Sequence, residues 1–87
     1  MTDADNVRKE LLAFVEENFL YLKPDLEVGP QDDLLALGVI DSLGFIELVE
    51  EVQARYAVEV ADIEVTEQNF GSIDAIVDFV GRKQAAA

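Results

Sequence analysis

Apolar residues in the first quarter of the chain recur at the spacing of an α-helix. Over residues 3–22 they gather on one side of a helical wheel, and charged residues such as Lys9 and Glu16 take the other side. Pro24 disfavours continuation of a helix beyond Lys23. These features predict a first helix over residues 3–22. Its apolar side carries Val7, Leu11, Leu12, Phe14, Val15, Phe19 and Leu22.

The same periodicity predicts a second helix over residues 42–56. One broad arc of its wheel is apolar and another is acidic. The apolar arc carries Phe45, Ile46, Leu48, Val49, Val52 and Tyr56, and the acidic arc carries Glu47, Glu50 and Glu51 with Leu43 beside them.

Two further helices follow, and each begins at a residue suited to capping. Thr66 suits the N-cap of a short third helix over residues 66–70, with Val65 and Phe70 at the two positions of a hydrophobic staple. Ser72 suits the N-cap of a fourth helix over residues 72–82. We expect the alanines at positions 85–87 to be frayed.

The connection over residues 23–40 is long but half apolar, so we expect it to pack against the helices. A short turn of helix is expected near residues 33–37. The residues expected to pack are Leu34, Leu35, Leu37, Val39 and Ile40. Because no repeat or internal linker interrupts the chain, residues 1–87 are predicted to form one all-α domain, a small four-helix bundle with a short third helix and a long packed loop between the first two helices.

The charge balance narrows the classes of partner. The 87 residues include 19 acidic and 6 basic side chains, for a net charge of −13, while 51% of residues are hydrophobic. Such a chain repels nucleic acids and anionic membranes, and its partners should present basic surfaces. Since no apolar run approaches the ~20 residues of a membrane span and the N-terminus lacks the pattern of a signal peptide, we expect a cytoplasmic protein.

Missing residue types exclude most chemistry that the chain could perform alone. Without cysteine it has no disulfide, thiolate nucleophile or zinc–thiolate site, and without histidine it lacks the commonest general base and metal ligand. A serine nucleophile such as Ser42 would have no evident base, and Ile40 occupies the first glycine position of the hydrolase elbow. The EF-hand pattern is also absent, so no metal site is predicted.

Asp41 and Ser42 are both candidates for the N-cap of the second helix. If Asp41 is the cap, Ile40 and Phe45 occupy the hydrophobic-staple positions, and Ser42 becomes the first helical residue. Its hydroxyl is then not needed for capping and stands at the positive end of the helix dipole. A phosphate is favourably placed there.

The stretch LGVIDSLGFIELVEEV, residues 37–52, resembles the modification site of acyl carrier proteins and peptidyl carrier proteins. Their motif, Gly-x-x-Asp-Ser-Leu, is matched by Gly38, Asp41, Ser42 and Leu43, and the resemblance extends over nearly the whole chain. It implies that a phosphopantetheinyl transferase, with magnesium, attaches 4′-phosphopantetheine to Ser42. The chain would be a non-catalytic carrier that an acyl- or aminoacyl-activating ligase loads and that downstream synthase or transferase enzymes use.

In that family the second helix is the main recognition surface for basic partner enzymes. Leu43 and Glu47 match this pattern, and Glu50 and Glu51 lie on the same face with a different acidic spacing. The alternative is an ordinary solvated helix face. Family members can also open a cargo pocket beside this helix, which here could involve Ile46, Val49 and Ile63. For these three residues, plain core packing is the main expectation.

Features after the motif bear on the type of carrier. Fatty-acid carriers commonly have an acidic residue at the position of Gly44. The glycine could allow close approach of the phosphopantetheine arm or of a partner's backbone, or it could simply be tolerated near a helix end. Residues 65–76 resemble small stand-alone carriers of glyceryl, methoxymalonyl or aminoacyl units, with D-alanyl carriers more distant in pattern. We expect a free-standing monomer in polyketide- or nonribosomal-peptide-type biosynthesis. The alternatives are a general fatty-acid carrier and an unmodified acidic interaction module.

Overall fold

The computed structural model describes residues 3–19 and 27–86. They form helices α1 (Ala4–Phe19), α2 (Ser42–Tyr56), α3 (Glu67–Phe70) and α4 (Ile73–Ala86), with a single 3₁₀ turn (Asp62–Glu64) before α3. No strand occurs in these two ranges, and the predicted all-α class is confirmed. Positions 20–22 of the predicted first helix lie outside the described residues.

Helix α4 is the packing centre of the bundle, because α1 and α3 both lie against it. The rings of Phe70 and Phe79 are tilted against each other with centroids 5.0 Å apart, and Phe45 of α2 meets Phe70 edge-on at 6.2 Å. These contacts join three helices in one apolar core. Its fully buried large side chains include Leu11, Val15, Leu34, Leu48, Val52, Phe70, Ile73, Ile76, Phe79 and Val80.

The described part of the connecting loop packs against the bundle, as predicted, except at one position. Leu34 is fully buried, and its N–H donates to the carbonyl of Gly71 at 2.8 Å. The predicted turn near residues 33–37 is closed by a bond of 3.0 Å from the Leu37 N–H to the Asp33 carbonyl. Leu37 was expected to pack but is 42% exposed; it lies at the end of the turn, directly before Gly38, where a φ of 72° changes the direction of the chain.

Caps begin the last two helices where the sequence predicted them. The Thr66 hydroxyl accepts from the Asn69 N–H at 3.2 Å, and the Ser72 hydroxyl accepts from the Ala75 N–H at 3.1 Å. The predicted end of α4 at residue 82 is wrong, because the helix continues to Ala86 and so includes two of the three alanines that were expected to be frayed. Ala87, the third, lies outside the described residues. Lysine, glutamine and alanine are good helix formers, which favours this extension.

Partly exposed ion pairs link different elements at the surface of the bundle. Arg8 of α1 lies 2.9 Å from an oxygen of Asp74 in α4, and this hydrogen bond raises the pKa of Arg8 above its usual value. Lys83 of α4 lies 2.7 Å from an oxygen of Glu64, and its ammonium group lowers the pKa of that carboxyl. Among the described cationic side chains, those in ion pairs are Arg8, Arg55, Arg82 and Lys83.

None of the described helices combines the length and the apolar character that crossing a bilayer requires.

Candidate functional site at the start of helix α2

Asp41 caps helix α2, as the sequence predicted. Its backbone is extended (φ −100°, ψ −172°), and its Oδ1 accepts from the Gly44 N–H at 2.8 Å. The Asp41 carbonyl accepts the first helical bond, from the Phe45 N–H, also at 2.8 Å. The side chain therefore satisfies one of the unpaired N–H groups that every helix start presents.

The chain entering α2 is held from the core side. Ile40 and Phe45, at the two predicted staple positions, are both buried. The Val39 and Ile40 N–H groups both donate to the Leu34 carbonyl, at 3.0 and 3.3 Å. The junction between loop and helix is thus fixed by apolar burial and by backbone hydrogen bonds at the same point.

Ser42 is the first residue of α2 and is exposed. No described residue hydrogen-bonds its hydroxyl, and the Gly44 N–H donates to the Asp41 carboxylate instead. The next residue, Leu43, is 69% exposed. The hydroxyl therefore stands at the positive end of a helix of 15 residues without a capping role, where a negatively charged substituent is stabilised.

The structure explains why position 44 is a glycine, which the sequence alone did not. It is buried, and a Cβ atom built on it would lie 2.9 Å from Cε1 of Phe19, and 3.3 Å from both Oδ1 of Asp41 and Cβ of Ile40. Neither approach of the arm nor simple tolerance is needed to explain this glycine. The last residue of α1 occupies the space that a side chain would take.

An outward stripe on α2 begins beside Ser42. Leu43, Ile46, Glu47 and Glu50 are all exposed, at the helical spacing of three and four residues that places them on one face. No described cation pairs with Glu47 or Glu50. The stripe therefore combines apolar contact area with two uncompensated negative charges.

Glu51 differs from the other predicted partner contacts, because a residue of its own helix already binds it. Arg55 donates to Oε2 of Glu51 from Nη2 at 2.7 Å and from Nε at 2.9 Å. The guanidinium also lies 3.7 Å from Glu10 and 5.8 Å from the centroid of the Phe14 ring, both on α1. The sequence contained a signal for this pair, since residues 51 and 55 are four positions apart.

The predicted core roles of Ile46 and Ile63 are wrong. Val49 is buried as expected, but Ile46 is 47% exposed and Ile63 is 86% exposed. The buried side of α2 follows Phe45, Val49 and Val52, and Ile46 lies just beyond its edge. In this conformation Ile63 is too exposed to help enclose a cavity, and a cargo pocket formed with these residues stays a prediction.

Comparison with known proteins agrees with this geometry. Residues 11–80 match the family model described as "Phosphopantetheine attachment site". The chain belongs to this family of carrier proteins. Similar proteins include the D-alanyl carrier proteins of Streptococcus suis (strain 98HAH33) and Streptococcus gordonii (strain Challis), each 28% identical over 75 residues that cover 86% of this chain and 91% of the relative. The prosthetic group of this family of carriers is 4′-phosphopantetheine.

The start of α2 fits this prosthetic group. Attachment as a phosphodiester needs a serine hydroxyl that is accessible and not committed to the fold, and Ser42 meets both conditions among the described residues. When bound, the group supplies a flexible arm whose terminal thiol holds cargo as a thioester. The chain has no cysteine of its own.

Proposed function

We propose that the chain is a carrier protein that bears 4′-phosphopantetheine on Ser42 and transports a small activated acid as its thioester. The observation that carries this proposal is the exposed Ser42 hydroxyl, left free because Asp41 caps the helix. The roles of the three motif residues then separate. Asp41 holds the turn, Ser42 accepts the phosphodiester, and Leu43 presents apolar surface to the modifying enzyme.

Catalysis belongs to partner enzymes in this proposal. The chain contains no histidine, and no described side chain approaches the Ser42 hydroxyl as a base. A phosphopantetheinyl transferase supplies that base and its magnesium ion, and an acyl- or aminoacyl-activating ligase loads the thiol. Downstream synthase or transferase enzymes consume the cargo.

The outward stripe of α2 is the proposed docking surface for these enzymes. Leu43 and Ile46 offer apolar contact, and Glu47 and Glu50 offer charges that no described cation neutralises. A basic partner gains from both features, and its association is accelerated at low salt. Glu51 can contribute only part of its charge to a partner, because Arg55 already binds its carboxylate.

For cargo and pathway, we propose a short acyl, aminoacyl or glyceryl-type unit in specialised biosynthesis. The D-alanyl carrier proteins among its relatives support the aminoacyl possibility by their names. A general carrier of fatty acid synthesis is the alternative within the family. A monomeric state and a cytoplasmic location complete the proposal.

Intact-mass analysis after coexpression with a broad-specificity phosphopantetheinyl transferase tests the attachment. The chain should gain one phosphopantetheine group, and Ser42→Ala should gain none. If several transferases leave the folded wild-type protein unmodified, an acidic interaction module becomes the better description. The mass of the thioester isolated from the native cell then identifies the cargo.

A further inference from the structure

The inside of the first turn of α2 is filled by a residue from α1. At Gly44, two positions after Ser42, the nearest side-chain atom to a built Cβ is Cε1 of Phe19, at 2.9 Å. Cβ atoms essentially never approach another atom this closely in proteins. The absence of a side chain at position 44 and the place of the Phe19 ring therefore depend on each other.

This contact lies at the hydrogen bond that shapes the turn. The Gly44 N–H is the donor to Oδ1 of Asp41, and that oxygen lies 3.3 Å from the built Cβ. The ring and the bonded oxygen therefore border the same small space beside Gly44, and a ring that stays there limits the room for a water molecule that would compete for the bond. Phe19 can therefore hold the Asp41 cap in place, and with it the residue that follows the cap, Ser42.

The Phe19 ring is itself supported by a neighbour. Phe14 meets it edge-on, with centroids 5.9 Å apart and planes at 75°. The Arg55 guanidinium lies 5.8 Å from the Phe14 centroid and is bound to Glu51. Arg55 of α2 therefore contacts Phe14, and Phe14 in turn packs against the Phe19 ring that lies beside the start of α2.

We propose that Phe19 is a positioning residue for the modification of Ser42. It fills the space at Gly44, keeps the first turn of α2 in one arrangement, and so fixes where the Ser42 hydroxyl stands when a transferase engages it. This inference rests on the proposed function, since it assumes that Ser42 is the modified residue.

The test compares transferase kinetics for Gly44→Ala, Phe19→Leu and the double variant, with coenzyme A as donor. Gly44→Ala should displace the ring and lower kcat by about five- to tenfold with KM unchanged, because small misplacements of reacting groups are costly. Leucine lacks the Cε1 atom that meets the added methyl group. The double variant should therefore recover to within about twofold of Phe19→Leu alone.

Gly81→Ala is the matched control, because a Cβ atom at that helical glycine would meet nothing within 4 Å. It should leave both kinetic constants at their wild-type values. Partial unfolding would instead raise the apparent KM in inverse proportion to the folded fraction and leave kcat unchanged, which separates a folding defect from misplacement of the hydroxyl.

The inference is overturned if Gly44→Ala keeps the kcat of Gly81→Ala, or if its loss persists in full in the double variant. Should Gly44→Ala fail to fold, Phe19→Ala takes its place. A lowered kcat then supports the role of the ring, and a wild-type kcat refutes it. Each of these outcomes concerns only the role of Phe19, because the wild-type chain is still labelled at Ser42. A wild-type chain that is not labelled at Ser42 would refute the proposed function itself.

Discussion

Replacement of Asp41 and of Ser42 by alanine should have opposite consequences for stability and modification. Asp41→Ala removes the acceptor of the 2.8 Å bond from the Gly44 N–H, whereas Ser42→Ala removes a hydroxyl that no described residue bonds. If the cap belongs to Asp41 and the attachment to Ser42, the first substitution weakens the fold. The second leaves the fold intact and abolishes labelling.

The magnitude follows from the geometry of the cap. Loss of an N-cap side chain costs about 1 kcal/mol, and loss of a carboxylate at a helix start adds about 0.3–1 kcal/mol from the helix dipole. Because Gly44 is buried, its N–H would find no ready replacement in water. We expect about 1.5–2 kcal/mol for Asp41→Ala, or a decrease in Tm of roughly 6–16 °C for a domain of this size. For Ser42→Ala we expect a change within about 0.5 kcal/mol.

Thermal and urea unfolding followed by circular dichroism provide the measurement, with Asp41→Asn as the control. Asparagine keeps the acceptor oxygen and loses only the charge, so it should retain most of the stability. A fall in Tm for Ser42→Ala equal to that for Asp41→Ala would falsify the assignment, since the serine hydroxyl would then be the cap. Equal stability of Asp41→Ala and wild type would also refute it.

Three other expectations can be checked on purified protein. Gly81→Ala should stabilise the chain by about 0.5–1 kcal/mol, because alanine is the better helix former and its methyl group meets open space; a lower Tm in calorimetry contradicts this. Lys83→Met should lower the urea midpoint near pH 7. Lys83 lowers the pKa of Glu64, so the pair stabilises the fold above the unfolded-state pKa of this carboxyl, and the stabilisation is lost as pH falls through the folded-state pKa. The difference in urea midpoint between wild type and Lys83→Met should therefore shrink near pH 3. A difference that stays the same at pH 3 argues against the pair. Glu47→Lys should slow transferase labelling at low salt and flatten the salt dependence of the labelling rate. Unchanged labelling rates would remove Glu47 from the docking surface. Glu51→Gln, which breaks the pair with Arg55, should mainly cost about 0.3–0.5 kcal/mol of stability.

Local signals made much of this fold predictable. The caps at Asp41, Thr66 and Ser72 depend on atoms within three residues of each cap, so short sequence windows contain the necessary information. Helix type follows in the same way from apolar periodicity. The free hydroxyl of Ser42 could be inferred as soon as Asp41 was chosen as the cap.

The errors arose where distant parts of the chain meet. Whether Ile46 is core or surface depends on where the other helices stand around α2, and a helical wheel does not contain that information. The contact between Phe19 and Gly44 joins residues far apart in sequence, and no periodic pattern announces it. The prediction for Leu37 is wrong for a related reason, since its exposure depends on how the loop lies against the helices.

The internal ion pairs also affect whether molecules of this protein associate with one another at high concentration. Of the described cations, Arg8, Arg55, Arg82 and Lys83 each face an acidic neighbour at short range, and Lys9 is the one that is in no ion pair, so most of the described positive charge is already compensated within the molecule. With a net charge of −13, copies repel one another as they come within the screening distance of about 8 Å at physiological salt. A concentrated pool of the protein should therefore stay dispersed, while an enzyme with a basic surface is drawn to any member of it.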